Sequence, residues 1–384
     1  ISGWSDASKS LLAELPKTEF TGYTDYKTDA KIIAILAEDE SIQSVSEGEC
    51  EVILDKTPFY GEGGGQVGDT GTIYKDGAVL TVYDTKKTDG VYVHLCTVAS
   101  GIFKVGDSVT ADIDDARRDA VKRNHSACHL LQAALRRVLG SHVEQAGSYV
   151  DNERCRFDFT HFSALTSDEL KKVEALVNAH ILAANEIVTK ETDIDTARKE
   201  GAMALFGEKY GKTVRMVKMG DFSTELCGGT HCANTSNIGL FKIISESSVA
   251  AGVRRIEALT SDALYAYYDK LEEIINEAAA LLKTNAAGLT EKITHLQAEV
   301  KELHSENESL KSKAAQDALG DVMDRVEEVN GVKLLATALE DVDMNGLRDL
   351  GDQLKEKLGE GVVVLASANE GKVSLIAMAT EGAM

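Results

Sequence analysis

Hydrophobic periodicity changes twice along this 384-residue chain, and those changes restrict its fold more than any other feature. Between residues 30 and 112 the apolar residues fall in short runs at 32–36, 51–54, 71–74, 79–83, 91–95 and 109–113. Turns such as Lys75-Asp76-Gly77 and Thr88-Asp89-Gly90 separate them. Many short strands at this spacing predict a small β-barrel or sandwich. From 114 to 139 the period becomes helical, with Ala120, Leu130, Leu131, Ala134, Leu135 and Val138 on the apolar side and Gly140 as the stop. A second helix is expected over 167–185, capped by Ser167, with strands near 154–159, 213–219 and 240–245. Such a mixture is α+β rather than a regular βαβ succession.

Beyond Asp262 the pattern is almost wholly helical. Leu289, Ile293, Leu296, Val300, Leu303, Asn307 and Leu310 step by fours and threes, a heptad seam with one polar core position. Leu264, Tyr268, Leu271, Ile275, Ala278 and Leu282 repeat the spacing, and 285–288 lies between the two. A long antiparallel helical hairpin is expected, with a dimeric coiled coil as its rival. The last residues read strand (332–339), helix (344–358), strand (362–367), strand (373–379), which predicts a partial C-terminal α/β unit. The expected domains are a linker at 1–29, a β-barrel at 30–112, an α+β domain at 113–261 that carries two His- and Cys-containing runs, the hairpin at 262–320 and the α/β unit at 321–384.

Composition sets outer limits. The chain is 43% hydrophobic and 27% charged, as ordinary globular protein is. No run of about 18 apolar residues offers a membrane span. The N-terminal Ile1-Ser2-Gly3-Trp4 lacks a Met and a signal-peptide pattern, so a fragment of a longer cytoplasmic protein is expected. Six scattered cysteines (Cys50, Cys96, Cys128, Cys155, Cys227, Cys232) form no dense disulfide framework. The net charge of −22 is unusual for a nucleic-acid binder. The middle of the chain nevertheless carries Arg117, Arg118, Lys122, Arg123, Arg136 and Arg137, then Lys209, Lys212, Arg215 and Lys218. Arg117, Arg118, Lys122 and Arg123 are the candidate RNA-binding residues, although solvated helix faces carry such residues too.

The chemistry concentrates in two short runs. His125 and His129 are four residues apart within the expected helix, so both imidazoles face one way and can converge on a metal ion. Cys227-Gly228-Gly229-Thr230-His231 offers a thiolate and a third imidazole across a glycine turn. Three imidazoles and a thiolate suit Zn²⁺ rather than Mg²⁺ or Ca²⁺, which prefer oxygen. Each half alone is weak; an isolated helical histidine pair is more often a surface or core feature. Ser126 stands where a metalloprotease would carry its glutamate base, which excludes the HExxH chemistry. The glycine-rich loop 61–71 lacks both the P-loop ending and the strand-to-helix dinucleotide pattern. It is expected to be a structural and RNA-approach loop, with Gln66 and Asp69 as its polar members.

The runs 125–131 (HSACHLL), 225–232 (ELCGGTHC) and 57–71 (TPFYGEGGGQVGDTG) together resemble the alanyl-tRNA synthetase family, in particular its editing domain. Residues 252–258 (GVRRIEA) resemble the end of that domain, and the helical and α/β parts resemble the family's C-terminal domain. The resemblance implies a single Zn²⁺ held by His125, His129, Cys227 and His231. It also implies hydrolysis of tRNA(Ala) mischarged with serine or glycine, at a site contacting the tRNA acceptor end. Family aminoacylation, with ATP and Mg²⁺, belongs to an upstream domain that these residues do not resemble. Gln145 matches a position implicated in editing; its amide can orient water or substrate but cannot act as a base. Cys128 stands where the family commonly has a Thr that reads serine, and a thiol is a weaker donor. Homodimerisation through the C-terminal region is compatible with the seam. The alternatives are a free-standing trans-editing deacylase and a non-catalytic, zinc-stabilised tRNA-binding and dimerisation module.

Overall fold

The computed structural model describes residues 6–203, 211–340, 342–369 and 372–383. Two compact units divide at Leu271/Glu272. The first opens with helix α1 (Asp6–Ala13) and a barrel. Its sheet runs in the order Ser108–Ile113, Gly71–Lys75, Ala78–Thr88, Val91–Ser100, Glu49–Leu54, Lys27–Ala37, Glu40–Ile42. Ser108–Ile113 pairs back onto Lys27–Ala37, with Ala111 opposite Thr28, and so closes six strands into a barrel. Alternation explains the closure: Ile35, Val52, Leu54, Ile73, Leu80 and Val82 point inward and are buried. The expected barrel is therefore present.

Helix α2 (Asp115–Leu139) leaves the barrel directly. The Asp114 carboxylate caps it by accepting from the Arg117 amide at 3.0 Å, and Gly140, at φ 120°, ends it. Every residue from Asn124 to Leu135 is buried. The helix is sunk among a four-stranded antiparallel sheet, helix α3 (Ser167–Leu182) and the loops between them. The sheet's order is Gln145–Val150, Cys155–Thr160, Val253–Thr260, Phe241–Ala250. Thr166, rather than the expected Ser167, caps α3, through a reciprocal box with Glu169. A three-stranded sheet (Ile187–Asp193, Thr213–Met219, Ser223–Leu226) carries the short helix α4 (Ile194–Lys199) and leads into the Cys227 turn.

The glycine-rich loop joins barrel to sheet. Val67 N donates to Val150 O at 3.1 Å, and Val150 N donates to Gly65 O at 2.7 Å. Gly65 has φ +82°, and a Cβ there would collide with the Ser148 backbone, so only glycine allows this approach. Gln66 and Asp69, expected as polar members of an RNA-approach loop, are 0% and 2% exposed; they are interior residues.

Helix α5 (Ser261–Leu281) contains the boundary between the units. The second unit holds α6 (Leu289–Val322) and a sheet in the order Glu327–Val329, Val332–Glu340, Gly361–Asn369, Lys372–Ala379. Val332–Glu340 and Gly361–Asn369 are parallel, connected by α7 (Met344–Leu358). Leu335, Leu347, Leu350, Leu354, Leu358, Val363 and Leu365 form the core of this unit. Along the α6 seam, Ile293, Val300, Leu303 and Leu310 are exposed. A heptad pattern specifies an apolar stripe without specifying what covers it. Among the described residues no helix is long and apolar enough to cross a membrane.

Candidate metal centre

His125 and His129 sit one turn apart on α2 with nearly parallel rings, 5.4 Å between centroids. The turn after Ser223–Leu226 brings Cys227 and His231 against them. His231 lies 4.5 Å from His125 and 4.9 Å from His129, ring to ring. Cys227 Sγ is 3.5 Å from His125 Nε2 and 3.3 Å from His231 Nε2. One ligand atom from each of the four falls within 4.8 Å of all the others, so the two sequence pairs form one cluster.

Each imidazole is held from behind. His125 Nδ1 donates to Gln66 Oε1 at 2.8 Å, and His129 Nδ1 donates to Glu225 Oε2 at 2.7 Å. His231 Nδ1 lies 3.4 Å from Ser126 Oγ. These contacts fix the tautomers that leave the Nε2 atoms pointing inward, the arrangement metal-bound histidines use. Ser223 Oγ donates to the other Glu225 oxygen at 3.0 Å, orienting the carboxylate. Thr230 N donates to Gln66 Oε1 while Gln66 Nε2 donates to Thr230 Oγ1, both at 2.9 Å. From the barrel side, Tyr23 donates to Gly228 O at 2.7 Å and carries the Arg215 guanidinium on its ring. Arg215 donates to Cys227 O and Gly229 O.

The donor set fits a metal on two further observations. His129 Nε2 is buried with no hydrogen-bond partner, a costly arrangement unless something else occupies its lone pair. Burial raises the Cys227 thiol pKa, but His125, His231 and His129 outweigh it and hold the thiol well below its usual range. A thiolate is the form that ligates. Burial depresses His231 to about 3, keeping it neutral for coordination. Burial opposes charge on His129, yet Glu225 and Cys227 prevail and raise it well above normal, so a metal ion taken up at Nε2 would displace a proton there. The cluster could hold a metal ion, and its soft and imidazole donors are consistent with zinc.

A cavity of about 50 Å³ adjoins the cluster, lined by His125, His129, Cys227, Cys128, Gln132 and Gln145 among others. Gln145 opens its strand, half-buried, and donates to Ser148 Oγ at 3.3 Å. Cys128 is buried, and its thiol, hydrogen-bonded with Cys155 and buried, is pushed well above its ordinary pKa.

The four basic candidates fare differently. Arg118 is 1% exposed, ion-paired with the equally buried Asp69, and donates to Gly22 O at 2.6 Å and Pro58 O at 2.8 Å. It is an internal strut between helix and barrel and cannot reach phosphate, which corrects the expectation drawn from its charge. Arg117 is half-buried and donates to Gly68 O at 2.8 Å. Lys122 donates to Tyr26 Oη at 2.8 Å, and Arg123 pairs with Asp262 at 3.2 Å. Lys209 lies outside the described residues. Tyr23 and Gln132 carry no sequence signal as site residues; Glu225 opens the 225–232 run and Arg215 is one of the mid-chain basic residues, but their contacts at the cluster come only from the tertiary fold.

Two family profiles match. Residues 3–117 match tRNA synthetases class II (A), and residues 214–257, which include Cys227 and His231, match the threonyl and alanyl tRNA synthetase second additional domain. The barrel and the turn that carries Cys227 and His231 thus fall in regions shared with these tRNA synthetases, and the His/Cys cluster between turn and buried helix could hold a metal ion. Among curated relatives, alanine–tRNA ligase 1 of Lachnoclostridium phytofermentans is 55% identical over 100% of this chain and 44% of its own length. The alanine–tRNA ligases of Acetivibrio thermocellus (99% of this chain, 43% of the relative) and Pseudomonas syringae pv. syringae (95% and 42%) are each 50% identical. The chain belongs to the alanyl-tRNA synthetase family. It spans less than half the length of the curated relatives it matches.

Proposed function

We propose that this chain edits: it hydrolyses the ester between tRNA(Ala) and a wrongly attached small amino acid, serine or glycine. The observation that carries this reading is the small cavity, lined by both polar and apolar side chains, placed directly against the His₃Cys cluster. Its size admits a side chain of a few atoms. Water attacks the ester carbonyl, the acyl–oxygen bond to the terminal ribose breaks, and the proton lost by water ends on the ribose hydroxyl. A zinc ion, when bound, supplies Lewis-acid polarisation. His125, His129, Cys227 and His231 would hold it, and Gln66 and Glu225 hold two of the imidazoles. Gln145, beside the cluster, orients water or the ester by hydrogen bonding, since an amide cannot take the proton. Cys128 supplies cavity wall, with a thiol too weak as a donor to read a hydroxyl strongly.

The acceptor end of tRNA(Ala) is the proposed partner, with Arg117, Lys122 and Arg123 as candidate phosphate contacts. The exposed α6 seam supports a homodimer through the C-terminal region. Ligation of alanine with ATP and Mg²⁺ is proposed for a part of the parent enzyme outside these residues, and a cytoplasmic location accompanies that role. A free-standing trans-editing deacylase would use the same site. One observation favours a second reading: the cluster offers four protein ligands, which would leave a bound zinc ion no open position, as in structural sites. The chain would then be a zinc-stabilised tRNA-binding and dimerisation module.

Deacylation of Ser-, Gly- and Ala-tRNA(Ala), run beside metal analysis, separates the readings. Turnover of the first two with Ala-tRNA(Ala) spared supports editing. A full zinc complement without turnover supports the module.

A further inference from the structure

We propose that Gln132 is the specificity-determining residue of this site, the group that reads the side-chain hydroxyl of a seryl ester; this rests on the editing reading above. Gln132 follows His129 by three residues and His125 by seven, so it lies on the same stripe of α2, about 4.5 Å further along the axis. It is 6% exposed and lines the cavity beside the cluster. Among the described residues its amide makes no hydrogen bond, and its polar atoms keep access to the cavity rather than being sealed off from it. Several other polar groups of the cavity are engaged, although the buried His129 Nε2 and the Gln145 carbonyl oxygen are not. Gln145 donates to Ser148, Glu225 holds His129 and Ser223, and Cys128 faces Cys155. Gln132 therefore presents the cavity with a donor and an acceptor not used elsewhere.

The discrimination this site must make calls for such a group. Alanine is smaller than serine, so no cavity that admits serine can exclude alanine by size. Rejection of the smaller, correct residue has to come from a polar contact that alanine leaves unmade. A primary amide both donates and accepts, as a hydroxyl does, whereas a methyl group offers it nothing. An alanyl ester would leave the Gln132 amide buried against carbon; a seryl ester would pair it.

The test uses the 384-residue chain and its Gln132→Met and Gln132→Glu variants. Methionine keeps the length and removes the amide; glutamate keeps the length and the acceptor and removes the NH₂ donor. The first readout is the ratio of kcat/KM for Ser-tRNA(Ala) over Ala-tRNA(Ala). The second is the Kd of the non-hydrolysable 3′-seryl- and 3′-alanyl-amides of 3′-amino-3′-deoxyadenosine. Zinc content is measured for every variant. In Gln132→Met the kinetic ratio is expected to fall about 10- to 100-fold, and the preference for the seryl amide to shrink alongside, with zinc content unchanged. Gln132→Glu should fall between the parent and Gln132→Met. A kinetic ratio and an affinity ratio within twofold of the parent would overturn the proposal, as would equal losses for both substrates. If the parent hydrolyses neither ester, the editing reading fails, and the two amide affinities still decide whether Gln132 reads the hydroxyl.

Discussion

Gln66 and His125 are 59 positions apart, yet the Gln66 carbonyl oxygen accepts the His125 Nδ1 proton at 2.8 Å. The same oxygen accepts from the Thr230 amide, so a single barrel-loop residue touches the ligand helix and the Cys227–His231 turn together. The glycine-rich loop is thereby a support of the metal centre. Replacing Gln66 by Leu removes the acceptor, frees the His125 ring and orphans Thr230 N. Metal affinity should drop about 10- to 100-fold, read by competition with a chromophoric chelator. Unchanged affinity would show that the ring is held adequately by packing alone.

Gly229 makes an independent case for the same geometry. A Cβ on this residue would fall inside the His125 ring and 2.9 Å from Gln66 Oε1. Gly229→Ala must therefore push the turn off α2. Gly228, which has nothing within 4 Å of its Cβ position, should tolerate alanine. The expected result is loss of bound metal in Gly229→Ala and its retention in Gly228→Ala, measured by elemental analysis after gel filtration.

What could be read from the chain divides along a physical line. His125 and His129 were legible because helix geometry alone aligns positions four apart. Cys227 and His231 were legible because glycines between two ligands announce a turn. Short strands separated by turns made a barrel or a sandwich legible, and the pairing of Ser108–Ile113 with Lys27–Ala37 decides for the barrel. The roles of Glu225 and Gln66 were hidden, since their work depends on contacts across tens to more than a hundred residues, and the cavity beside Gln132 exists only in the folded chain. Charge misled at Arg118, because a guanidinium with a carboxylate and two carbonyls awaiting it is as much at home inside as outside.

His94 gives the barrel a pH dependence of its own. It is fully buried, and Nδ1 donates to Val52 O at 2.8 Å, so Nε2 is the acceptor for Thr57 Oγ1 at 2.7 Å. A second proton would cost that bond as well as solvation, and burial lowers the pKa to about 4. The unfolded chain takes up this proton near its ordinary value of about 6.5. Because the folded pKa is depressed, the stabilisation is fully present above about 6.5 and is lost progressively as the pH falls toward 4. Between pH 7 and pH 5 this one residue should remove about 2 kcal/mol of unfolding free energy. Urea unfolding of the parent and of His94→Gln at both pH values isolates the effect, because the variant lacks this component. An equal pH response in the two proteins would refute the assignment.

Arg118 and its neighbours separate structural charge from RNA-facing charge. The Arg118 guanidinium meets Asp69 inside the protein, with Tyr60 N also donating to that carboxylate at 2.7 Å. Arg118→Ala leaves Asp69 buried and uncompensated, and should cost about 3–5 kcal/mol of stability, measured by denaturant unfolding. Arg118→Met combined with Asp69→Leu removes both charges together and should recover part of that loss. The consequence for RNA is specific. Arg118 reaches no phosphate, so the double variant should bind tRNA(Ala) with the same dependence of log K on log salt as the parent. Arg117, Lys122 and Arg123 are only half-buried; wherever one of them meets a phosphate, its replacement by Ala should lower that slope by about 1. A slope that falls for the double variant would place Arg118 at the RNA after all, and slopes unchanged for all three single variants would move the RNA-binding face away from the start of α2.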